Sequence, residues 1–154
     1  MKNKKGFTLI EMLIVITIIA VLASLILVGM GGARQKSRDS KRVADLHNVM
    51  NALELYYSFK GHYPKGTYNS VQSWDTFVND ITKEKLSIGR IPRDPLNTGL
   101  YYYRYASNDL GTDYVLGARL EEEDPEAVIF SDDIDGTHYT IDCSDTNQVY
   151  CVMP

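Results

Sequence analysis

Apolar residues are distributed along this chain in two different ways. The first is a continuous run. From Phe7 onward the sequence is apolar apart from Glu11 and scattered small hydroxyl residues, and it contains 21 consecutive uncharged residues, Met12 to Gly32. At about 1.5 Å of rise per residue a helix of that length spans roughly 30 Å, the thickness of a bilayer core. The second is a stripe. Val43, Leu46, Met50, Leu53 and Tyr57 recur at intervals of three and four, the mark of a helix with one apolar face and one charged face. Gly61 after Lys60, and then Pro64, are stop signals. The pattern predicts one helix of more than 50 residues ending near Phe59, apolar all round in its first half and amphipathic in its second. The amphipathic half must bury its stripe against something downstream; a coiled-coil dimer through the same stripe is the alternative.

Downstream the period changes. Gly61 to Ser73 reads as loop, and Ser73 is placed to cap a short helix from Trp74 to about Lys85, with Trp74, Phe77, Val78 and Ile81 on one side. Pro92 and Pro95 break regularity. The aromatic run Tyr101 to Ala106 predicts a strand, Asn108 to Thr112 a turn and Asp113 to Leu120 a second strand, together an antiparallel hairpin. Further strands are expected near Val128–Phe130, Tyr139–Ile141 and Val149–Val152. The fold class is α+β: a small antiparallel β-sheet packed on the second half of a long N-terminal helix.

The start of the chain carries a specific pattern. Lys4, Lys5 and Gly6 precede Phe7-Thr8-Leu9-Ile10-Glu11, and an unbroken apolar helix follows. This order resembles the N-terminus of type IV prepilins and type II secretion pseudopilins. The resemblance implies a basic leader over residues 1–6, cleavage between Gly6 and Phe7, N-methylation of Phe7, a transmembrane and assembly helix over 7–32, and an exported pilin-like domain over 33–154. Many members carry Pro where Val28 stands; here the Gly29-Met30-Gly31-Gly32 cluster is the local helix weakener. Ala52 to Tyr57, Gly61, Tyr63-Pro64 and Pro92-Arg93-Asp94-Pro95 before a Tyr-rich strand are similar, less specifically, to the major pseudopilins. Glu11 has a physical role of its own to explain, because a carboxylate beside hydrocarbon is costly. After cleavage it lies one helical turn from the Phe7 amine. It can neutralise that amine within its own subunit, or meet the amine of a neighbour and set the stagger; the resemblance favours the second.

Composition refines this picture. The net charge is −4, and without the leader's three lysines there remain 13 basic and 20 acidic side chains, or −7. Such a domain does not suggest nucleic-acid binding. Cys143 and Cys151 are the only cysteines. In an exported domain they read as a disulfide; a metal pair is the alternative, but no further Cys or His stands at zinc-like spacing. One pattern opposes export. Arg34, Lys36, Arg38, Lys41 and Arg42 follow the apolar run and outnumber the cations before it, which by the positive-inside rule places the C-terminal side in the cytoplasm. The cysteine pair and the cleavage pattern point the other way, and the basic cluster is then free for lipid headgroups or for acidic faces of neighbouring subunits.

Two acidic clusters, Glu121 to Asp124 and Asp132-Asp133-Ile134-Asp135-Gly136, have the oxygen density that suits Ca²⁺. Asp132, Asp133 and Asp135 are the candidate ligands. The resemblance to calcium-holding major pseudopilins supports them, while an incomplete EF-hand pattern leaves a solvated acidic loop as the alternative. His47, His62 and His138 have no partner at catalytic or metal spacing, and no nucleophile motif is present, so no enzyme activity is expected. The resemblance implies a filament subunit working with identical or related pilin subunits, a prepilin peptidase with methyltransferase activity, a polytopic platform protein and a cytoplasmic assembly ATPase. It implies a single-pass inner-membrane precursor with its N-terminus cytoplasmic, surrounded by lipid until it enters a periplasmic or extracellular filament. An adhesive or DNA-uptake minor pilin and a non-polymerising anchored binding module are the alternatives.

Overall fold

The computed structural model describes residues 6–83, 90–122 and 133–154. The chain forms two compact units, Met1–Gln35 and Lys36–Pro154. Helix α1, Leu9–Lys60, contributes to both. In the first unit its described side chains are exposed, including Leu9, Ile10, Leu13 and Leu25. Among the described residues no helix is long and apolar enough to cross a membrane.

In the second unit α1 packs on a four-stranded antiparallel sheet. β1 (Thr67–Tyr68), β2 (Tyr103–Ser107), β3 (Tyr114–Arg119) and β6 (Val149–Val152) lie side by side in that order. Helix α2, Val71–Lys83, adds Trp74, Phe77, Val78 and Ile81 to the core, as its pattern predicts. It starts three residues before the expected position, because Ser70 rather than Ser73 is the cap: Ser70 Oγ accepts from Ser73 N at 3.0 Å. The expected end near Lys85 and the strand near Val128–Phe130 lie outside the described residues. Two further strands, β4 (Thr137–His138) and β5 (Ile141–Asp142), form a separate hairpin. Its two connecting residues, Tyr139 and Thr140, both have positive φ, 46° and 78°, where a hairpin of this length favours Asn-Gly.

The sheet separates two apolar clusters by strict alternation. Tyr103, Tyr105, Tyr114, Leu116, Ala118, Tyr150 and Val152 face α1 and α2. Ala106, Val115, Val149 and Cys151 face the other way, with Ile141 and Cys143. On α1 the buried stripe is Val43, Leu46, Val49 and Leu53, with Met50 half-buried. Tyr57, expected at the end of the stripe, is largely exposed but lies 4.7 Å from the Tyr63 ring. Gly111, at φ 71°, closes the β2–β3 turn region; a Cβ there would stand 2.9 Å from the Tyr63 carbonyl, and its own carbonyl accepts from Tyr63 N at 2.7 Å.

Cys143 and Cys151 form a disulfide within the outer cluster, and both are fully buried. Gly117 pairs in register with Cys151, and a Cβ at Gly117 would come within 3.1 Å of the Cys151 sulfur. A loop of this length is worth about 2–3 kcal/mol in the chain-entropy account. Peptide mapping of exported protein without reductant is expected to recover Cys143 linked to Cys151. Two free thiols in native exported chain would contradict both the pairing and an oxidising location.

Candidate functional site

The residues singled out at the N-terminus converge on the first turn of α1. Gly6, Phe7 and Thr8 precede the helix without regular structure, and Phe7 is 81% exposed. Thr8 is the N-cap. Glu11 Oε2 accepts from Thr8 N at 2.7 Å and from Thr8 Oγ1 at 2.7 Å, and Thr8 Oγ1 accepts from Glu11 N at 3.3 Å. This is a capping box, written in the sequence as T-x-x-E. The carboxylate that interrupts the apolar run therefore starts the helix in the isolated chain. Behind it stands an exposed cylinder of Ile, Leu and Val. Such a surface has no reactive group to offer; what it offers is shape and apolar area for like helices, with one carboxylate at its end.

The acidic loop is described only in part. Asp132 lies outside the described residues. Asp133 Oδ1 accepts from Cys151 N at 2.8 Å, and the Asp135 carbonyl meets His138 Nε2 at 2.9 Å. Among the described residues no three His, Cys, Asp or Glu side chains converge as a metal group.

The basic cluster also has another use. Arg34, Lys36 and Lys41 are exposed, but Arg42 is completely buried and Arg38 half-buried. Arg42 makes a two-pronged pair with Asp94, Nε to Oδ2 at 2.7 Å and Nη2 to Oδ1 at 3.1 Å. Its Nη1 donates to Asp39 Oδ1 and to Glu121 Oε1, both at 2.6 Å. Arg38 holds the same Glu121 through Nε at 2.7 Å and through Nη2. Asp39 accepts from the backbone N–H groups of Glu121 and Glu122, and Asp94 from those of Leu96 and Asn97. Burial opposes the charge on Arg42, but the carboxylates of Asp94, Glu121 and Asp39 outweigh it and hold the guanidinium above its ordinary pKa. Hydrogen bonds from Arg38, then Arg42, hold the Glu121 carboxyl below its usual range. This hub pins two distant segments, around Asp94 and Glu121, to α1. The sequence signal for it was present: Asp39, Arg42 and Asp45 continue the apolar stripe at intervals of three. Asp45 is buried too, accepting from Tyr103 OH at 2.7 Å.

Comparison with known proteins bears on the N-terminal site most directly. Residues 1–27 match the family model described as the prokaryotic N-terminal methylation motif. The chain is 35% identical over 114 residues to type II secretion system core protein G of Escherichia coli, covering 74% of this chain and 72% of that protein. It is 31% identical over 132 residues to type II secretion system core protein G of Vibrio cholerae, covering 79% of this chain and 86% of that protein. It is 45% identical over 56 residues to the type IV wide pilus major component PilA4 of Thermus thermophilus, covering 36% of this chain and 43% of that protein. No solved structure matches.

Proposed function

The chain belongs to the pilin and pseudopilin family, and from that premise we propose that it is a type II secretion-type filament subunit, cut between Gly6 and Phe7 and methylated at Phe7. The family is one of structural subunits that assemble with related subunits, and this chain is such a subunit. The observation that carries the processing reading is the order Lys4-Lys5-Gly6-Phe7 leading, through the Thr8–Glu11 cap, directly into an exposed apolar helix. An exposed Gly–Phe bond ahead of the first turn is accessible backbone, and the Glu11 carboxylate is held on Thr8, the residue next to the new amine. The secretion-type reading is favoured over a pilus because the core protein G matches span 72% and 86% of those proteins, against 43% of PilA4.

On this reading residues 1–6 are the leader and 7–32 hold the precursor in the inner membrane before assembly, with 33–154 exported. A prepilin peptidase with methyltransferase activity removes the leader. A polytopic platform and a cytoplasmic ATPase supply the work, and this chain carries no reaction of its own. The exposed cations left for lipid headgroups or neighbouring subunits are Arg34, Lys36 and Lys41.

Intact-mass measurement of the exported chain tests the proposal. The expected mass is that of residues 7–154 with one CH2 added by methylation and two hydrogens lost to the Cys143–Cys151 disulfide. A bulky residue in place of Gly6 is expected to leave the leader attached. An exported chain that still begins at Met1 would overturn the processing reading and favour a non-polymerising anchor.

A further inference from the structure

A second arginine is buried in this domain under the opposite circumstances. Arg104 alternates with Tyr103 and Tyr105 on β2, so it stands on the outer face of the sheet, in register with Gly117 and diagonal to Arg119 on β3. There a cavity of about 240 Å³ is lined by Tyr102, Arg104, Arg119, Thr140, Asp142 and Asn147, among others. Arg104 is 8% exposed. Its guanidinium lies over the Tyr102 ring at 4.6 Å, and its Nη2 reaches the Leu100 carbonyl at 3.4 Å. Its Nη1 has no hydrogen-bond partner among the described residues. Burial pushes its pKa below the ordinary guanidinium range. The contrast with Arg42 is direct: there three carboxylates bond one buried guanidinium, and here, among the described residues, Asp142 attracts it through space without a hydrogen bond or ion pair.

Among the described residues the only carboxylate lining this cavity is already committed. Asp142 accepts from Ser144 N at 3.1 Å and from Asn147 Nδ2 at 2.6 Å, and makes no ion pair with either arginine among the described residues. Two cations against one anion leave the cavity one positive charge in excess. An unpartnered Nη1 donor offers a charged hydrogen bond to a carboxylate, and a single excess charge matches a monoanion.

We propose that this cavity binds a single carboxylate group between Arg104 and Arg119. The carboxylate is either an acidic side chain of another protein chain or a free small acid. Both share the chemistry, and the experiment separates them. The full chain in detergent micelles, labelled for observation of arginine side-chain N–H signals, is titrated with sodium acetate, with a blocked Gly-Asp-Gly tripeptide and with inorganic phosphate, at constant ionic strength set by sodium chloride. Acetate and the tripeptide are expected to shift the Arg104 and Arg119 signals saturably, with phosphate weaker. Tighter binding of the tripeptide assigns the site to a protein partner; equal binding assigns it to a free acid. Arg119→Gln is expected to weaken acetate binding about tenfold without changing the melting temperature, and Arg104→Lys to weaken it through loss of the planar fork. If Arg104→Lys fails to fold, Arg119→Gln alone decides. Absence of a saturable shift, unchanged affinity in Arg119→Gln, or tighter binding of phosphate than of acetate would overturn the proposal.

Discussion

Glu11→Leu is expected to abolish sheared filaments while the precursor accumulates in the membrane. The substitution removes the one charge that opposes insertion, so a simple anchor would be unharmed or better inserted. A filament subunit loses the counter-charge for the Phe7 amine, which is cationic at neutral pH, and the loss recurs with every subunit added. The capping box complicates this in a useful way. In the isolated chain Glu11 binds the backbone N–H and the hydroxyl of Thr8, so its removal also uncaps α1. Glu11→Gln separates the two roles, because Gln serves at this position of a capping box but carries no charge. Filament loss in both Leu and Gln variants would assign the effect to charge; loss in Leu alone would assign it to the cap. Glu11→Asp keeps the charge with a shorter reach and is expected to be intermediate. Cells are sheared and the filament fraction is compared with membrane-bound subunit. Wild-type amounts of filament from Glu11→Leu would remove the case for polymerisation through this carboxylate.

The second large effect belongs to the hub. Arg42→Met leaves Asp39, Asp94 and Glu121 without their shared cation, and breaking a buried pair in this one-sided way costs about 3–5 kcal/mol. For a domain of this size the melting temperature should fall by roughly 10 °C or more. Arg42→Lys keeps the charge but cannot reproduce the two-pronged contact with Asp94, and is expected to lie between. Asp94→Asn keeps an acceptor for Leu96 N but turns the oxygen that accepts from Arg42 Nε into an NH2 donor, so it removes the charge and one hydrogen bond together. The pH dependence follows in sign. The folded pKa of Glu121 lies below its unfolded value, so its contribution is present at neutral pH and is lost as pH falls below about 4.3 toward the folded value. Thermal melts between neutral and acidic pH are expected to show a weaker acid dependence in Glu121→Gln than in wild type. A melting temperature for Arg42→Met within about two degrees of wild type would show that the hub contributes specificity rather than stability.

What could be read in advance was what local pattern encodes. The α1 stop at Lys60, the apolar side of α2, the β2–β3 hairpin and the cysteine pair follow from spacing, turn residues and composition, and each is found close to its expected place. The capping box is also legible, as Thr8 and Glu11 stand at its spacing, but the charge of Glu11 draws attention away from it. The hub was hidden because its three carboxylates come from α1, the Pro92–Pro95 segment and the end of β3, and sequence spacing does not reveal which buried cation will gather them. Spacing marks Arg42 as a stripe position, and of the five basic residues it alone is fully buried, but spacing does not name its partners. β4 and β5 blur into one strand in the sequence because Tyr139 and Thr140 are good strand formers, whereas here both adopt positive φ. β1 is lost in a stretch of loop residues, since two residues carry no period.

The alternation that splits the sheet into two apolar clusters has a consequence for how this chain tolerates change. Residues facing α1 answer to the helix, and through it to whatever the helix must do. Residues facing outward answer to the disulfide, to the β4–β5 hairpin and to each other. A mutation in the outer layer meets Gly117 and Cys151 before it meets anything on α1. The sheet thus behaves as a bulkhead: the outward layer is free to acquire new surfaces and new ligands in evolution while the inner layer, and the helix it grips, stay as they are.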